Sequence, residues 1–176
     1  MDESNQHKEI IERVESLRKE ATSLYFEKLF RQKDELSLVV TGHLYVEYWL
    51  EWLIRCSILK PERLLDSMNL TFAQKLAVAE SLGLLEKELA RAARTLNNIR
   101  NHIAHRLEYQ IPKKDLQLLA SFTPNLPKEY QTLVRYIGSP KAELTLFCTY
   151  FAGYAAGVTF GLEDAKDRKL SDDGVQ

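Results

Sequence analysis

The sequence predicts an all-α protein, an antiparallel bundle of about five to seven helices. Three observations predict it. Apolar residues return every three to four positions over long stretches, the period of a helix with one buried face. Those stretches are rich in Leu, Ala, Glu, Lys and Arg, the strong helix formers. Glycine and proline are scarce, 7 and 5 in 176 residues, too few for the turns a sheet protein needs. The length suits one domain over residues 1–165, able to bury its own core, followed by a flexible polar tail over 166–176.

Each element follows from its local pattern. Over residues 5–32, Ile10, Ile11, Val14, Leu17, Ala21, Leu24, Tyr25 and Leu29 mark one face of an amphipathic helix. Lys33, Asp34 and Glu35 interrupt it. Residues 36–59 resume with Val39, Val40, Leu44, Val46, Trp49, Leu50, Leu53 and Ile54, apolar enough for the central helix, and Pro61 stops it. A linker over 62–69 leads to a helix opened by Thr71 as N-cap and closed at Gly83. The next helix spans 84–107. Pro112 marks a break, short helical pieces follow over 115–120 and 128–137, and a last helix covers 140–165.

Composition excludes several functions. The net charge is -1, so any phosphate-binding surface must be local. Cys56 and Cys148 are too few for a disulfide framework or a zinc site, and their apolar neighbours predict two reduced, buried thiols in a cytoplasmic protein. The acidic, polar N-terminus does not read as a secretory signal. Residues 144–162 carry no charge and space Gly153, Gly157 and Gly161 by four. Their length fits a membrane span, but threonines, tyrosines and glycines dilute the apolar character. The expectation is a buried bundle helix, without membrane, whose glycines admit a close neighbouring helix or subunit.

The segment richest in chemistry lies in the helix over 84–107. Leu89, Ala92, Leu96, Ile99 and Ile103 form its core stripe. Arg94, Asn98, Asn101 and His105 then form a nearly opposite stripe, flanked by Arg91 and His102, with Arg100 on the boundary. Between Glu88 and Glu108 stands no acidic residue, although exposed helices ordinarily mix charge signs. This face suits an anion, or an acidic partner element. His43, Glu47 and Glu51 draw a polar line along the central helix. Further metal ligands are missing, so Glu47 is expected to pair with an arginine of the other helix. Trp49 and Trp52 read as core or interface anchors.

The run Arg100-Asn101-His102-Ile103-Ala104-His105 resembles the Arg-Asn-x-x-Ala-His form of the signature of the HEPN superfamily. The upstream Gly42-His43-Leu44-Tyr45-Val46-Glu47, the Leu70–Leu76 segment and Leu82-Gly83-Leu84 are similar to its mannitol-repressor-like branch. The resemblance covers residues 36–107. It implies a helical homodimer and a metal-independent endoribonuclease without cofactor, a toxin or antiviral effector held by an antitoxin-like or regulatory protein. On that reading Arg100, Asn101 and His105 are catalytic, while Arg91, Arg94, Asn98 and His102 bind RNA and Glu47 gives structural support. The branch also holds regulators, so the same scaffold fits a non-catalytic interaction module. Arg100 could then pair with Glu47 inside the bundle, and His105 cap its own helix. Leu107 stands where some superfamily toxins have a tyrosine, so no switch by tyrosine modification is expected.

Overall fold

The computed structural model describes residues 34–106, 108–126 and 140–173, together with 27–29, 31, 32, 128 and 132, and the side chains of the last helix as far as Leu162. The expected helices over 5–32 and 128–137 lie outside the described residues, apart from single turns and isolated positions. Everything regular that is described is helical: α1 (Glu35–Ser57), α2 (Pro61–Leu65), α3 (Phe72–Ser81), α4 (Lys87–His105), α5 (Lys113–Ala120), a 3₁₀ turn (Thr123–Asn125) and α6 (Lys141–Asp173). The fold is an all-α bundle.

Local chemistry explains the boundaries. The Asp34 side chain accepts from the Ser37 amide at 2.8 Å, so α1 begins with a capped first turn. Its Cys-Ser end gives way to extended backbone at Ile58. Pro61, expected to act as a stop, instead opens α2, because its fixed φ suits the first helical position and its missing N–H would lack a partner there anyway. Thr71 caps α3 as expected. Its hydroxyl accepts from the Gln74 amide while Gln74 Oε1 accepts from the Thr71 N–H at 2.9 Å, a reciprocal capping box. Gly83 then turns the chain at φ +70°, where a side chain would be strained.

Helix α1 is the axis of the bundle. It packs along α6 and crosses α3 and α4, while α5 lies against α6. Leu38, Val39, Tyr45, Val46, Trp49, Leu50, Leu53 and Ile54 are buried on it. Val40 and Leu44 face outward. Between α1 and α6 the helices meet closely at Gly42, where an added Cβ would stand 2.9 Å from Cys148 Sγ.

The outcome on α6 divides by side. Leu144, Phe147, Cys148, Phe151 and Ala155 are buried against the core. Lys141–Leu162 is long and apolar enough to cross a membrane, but half of that stretch is covered inside the fold, which is what a core helix shows. Gly153, Gly157 and Gly161 do not serve the close contact expected within the chain. Among the described residues nothing approaches the positions their side chains would take. The helix runs to Asp173, past the expected end at 165, since Ala165, Lys166, Arg168 and Leu170 all favour helix. The two cysteines part company: Cys148 is buried, its thiol pushed up to about 12 by desolvation, whereas Cys56 is half-buried.

Candidate functional site

Helix α4 buries Leu89, Ala90, Ala92, Ala93, Leu96 and Ile99. The expected stripe is buried from Leu89 to Ile99 and is widened by two alanines, while its last member, Ile103, is half-buried. Its opposite side is solvent-facing throughout: Arg91, Arg94, Asn98, Arg100, Asn101, His102 and His105 are all exposed. His105 does not sit among aliphatic side chains. Arg100 Nη1 donates to Asn101 Oδ1 at 3.2 Å, which holds the guanidinium beside the motif asparagine on the outer surface.

The upper and lower halves of this face differ in charge. Arg94 pairs with Glu80 of α3, and Arg91 Nε lies 3.2 Å from Glu88 Oε2 on its own helix. The absence of acids within the segment thus does not leave the whole stripe unpaired, because α3 supplies an acid that the local sequence window does not contain. Towards the C-terminal end the situation changes. Arg100, His105 and Arg106 have no ion-pair partner among the described residues, and all three are exposed. His102 stacks on Tyr109, ring centroids 5.0 Å apart and 23° from parallel. Burial, with the Asp115 carboxylate adding to it, pushes the Tyr109 hydroxyl above its ordinary pKa.

Behind the motif lies a second polar cluster. Lys75 of α3 is buried, and its Nζ donates to Glu47 Oε1 at 2.7 Å and Glu51 Oε1 at 2.5 Å. Burial alone would lower its pKa, but the hydrogen bonds to Glu47 and Glu51 outweigh that and hold it above the ordinary lysine value. Glu47, expected to pair with an arginine of α4, instead has Lys75 as its partner. One turn along α1, buried His43 lies against the Phe72 ring at 4.3 Å, and its Nε2–H donates to Asn97 Oδ1 of α4 at 3.0 Å. Desolvation pushes His43 below 6.5, helped by the Arg100 and Lys75 charges, while Asn97 and Glu47 pull the other way. Because the ring favours its neutral form, Glu47 Oε2 at 3.9 Å from Nδ1 is a polar neighbour and not an ion pair.

These bonds tie α1, α3 and α4 together one turn before Arg100. Lys75 escaped the sequence reading although a signal existed: it stands between Phe72, Leu76 and Ala79, in an otherwise buried sector, which calls for an acidic partner. Asn97 and Tyr109 carried no such signal, since their roles depend on contacts across helices and around a turn. Among the described residues no group of three or more metal-ligating side chains comes together. No family model, characterised protein or solved structure matches the chain.

Proposed function

We propose that this protein is a metal-independent endoribonuclease of the HEPN kind, acting as a homodimer whose two motif helices complete one site. The observation that carries the proposal is the exposed end of α4, where Arg100, Asn101, His105 and Arg106 stand in solvent with no acidic partner among the described residues. Charged side chains left open beside a tightly paired scaffold are suited to an anion.

The chemistry follows from the residue types. The ribose 2′-oxygen attacks the adjacent phosphorus while its proton passes to a His105 imidazole acting as general base. The bond from phosphorus to the 5′-oxygen breaks, and that oxygen takes a proton from the imidazolium of the second copy. The products are a 2′,3′-cyclic phosphate and a 5′-hydroxyl. Arg100 binds the non-bridging oxygens as charge builds on them, and Asn101 keeps its guanidinium in place. Arg100 and His105 are five residues apart, roughly 140° around a helix, so one copy offers half a site. An activity of this kind needs restraint in a cell, which fits a toxin or antiviral effector held by an antitoxin-like protein.

The test is cleavage of single-stranded RNA by the purified protein in EDTA, with sedimentation to establish the dimer. His105→Ala and Arg100→Ala should each lower the rate by about a hundredfold or more. Equal cleavage by all three proteins would assign the activity to a contaminant. The pairing of Arg91 and Arg94 shortens the basic face and favours a second role, a non-catalytic regulator. That role predicts RNA or protein binding with no turnover.

A further inference from the structure

A groove of about 440 Å³ opens at the foot of α4, where the chain leaves the helix and returns past the start of α1. Leu36 and Ile103 give it apolar walls, while Arg106, Tyr109, Gln110 and Glu35 border it with polar groups. Ile103 stands three residues after Arg100, about 60° round the helix, and Arg106 follows the last helical residue, so the groove lies on the Arg100 side of the motif. Leu36 is 51% exposed, so a large apolar side chain lies open to solvent in front of an arginine and an aromatic ring. We propose that this groove seats one unpaired base of the RNA strand whose phosphate lies at Arg100, an inference that rests on the function proposed above.

Four features fit a nucleobase better than an apolar peptide side chain. The volume accommodates a nucleotide. Tyr109 lines it with a ring that stacks on His102, and base-on-ring stacking is the main sequence-tolerant contact of single-stranded nucleic acid. Arg106 lies next in the chain to His105, so its charge can meet the phosphate that follows the seated base. Glu35 and Gln110 supply an acceptor and a paired donor and acceptor that the polar edge of a base can meet. Glu35 also repels a continuous polyanion, which favours a base over a phosphate in the groove itself.

The experiment uses the full chain carrying His105→Ala, so that RNA stays intact, and reads binding of a labelled single-stranded RNA by fluorescence anisotropy. A second RNA of equal length has all its bases removed, leaving the sugar-phosphate chain. Adding Tyr109→Leu, which keeps apolar bulk but removes the ring, should weaken binding of the normal RNA by about tenfold. Tyr109→Phe should restore it, and the abasic RNA should bind both variants equally. Equal losses on the two RNAs, or no loss on either, would overturn the base seat. In that event, binding that still depends on Arg100 would leave the phosphate site standing. Absence of any Arg100-dependent binding would remove both proposals together. Displacement of the RNA by an apolar peptide, with no dependence on bases, would assign the groove to a protein partner and refute the inference.

Discussion

Two polar clusters share helix α4, and they are opposites. Around Asn97, charges are half-buried to buried and paired: Lys75 holds Glu47 and Glu51, and His43 holds Asn97. Around Arg100 to Arg106, charges are exposed and open. The closed cluster serves the fold, because its polar groups are paired across three helices. The open cluster adds little to folding and keeps its capacity for a ligand. A surface of one sign is informative only after tertiary partners are known, as Arg94 and its acid from α3 demonstrate.

Substitutions should separate the clusters by the quantity they change. The largest loss of stability is expected from Lys75→Met, which leaves two half-buried carboxylates side by side without their cation and should cost about 2 kcal/mol in urea unfolding. A change below about 0.5 kcal/mol, the scatter of surface substitutions, would erase the distinction. Asn97→Leu should cost less, about 1–2 kcal/mol, since one buried N–H of His43 loses its acceptor. Its effect should shrink when made together with His43→Leu.

Acid should act on the closed cluster too. His43 has a folded pKa below its ordinary 6.5, so the unfolded chain binds the proton more readily. Stability is therefore full above about 6.5 and declines as pH falls through that value toward the folded pKa. Glu47, Asn97, Lys75 and Arg100 all face the ring or act on it, and the direction given is their sum with burial. Urea midpoints measured on either side of that pH should differ more in the wild type than in His43→Gln. Matching shifts would show that another group controls the acid response.

The exposed face of α4 supplies the smallest changes in stability. Arg94→Ala removes an exposed ion pair and should cost no more than about 1 kcal/mol. Arg100→Ala and His105→Ala should leave the unfolding midpoint within about 0.5 kcal/mol of wild type, while cleavage falls by the factor stated above. A large destabilisation by either would move the motif into the scaffold.

Much of this architecture was legible along the chain because it depends on neighbours three or four residues apart. The apolar period of α4, the Thr71 cap, the turn at Gly83 and the outward position of Arg100, Asn101 and His105 are all local consequences of helical geometry. Val40 and Leu44 could not be placed, since an apolar residue on a nearly all-apolar helix does not reveal which side meets a neighbour. Only the tertiary structure decided that Glu47 answers Lys75, that Arg94 meets Glu80, and that Tyr109 comes back to His102 beside a groove. Those outcomes join residues from separate helices or across a turn, and packing distance, unlike helical period, is not written into the spacing of residues along one strand of sequence.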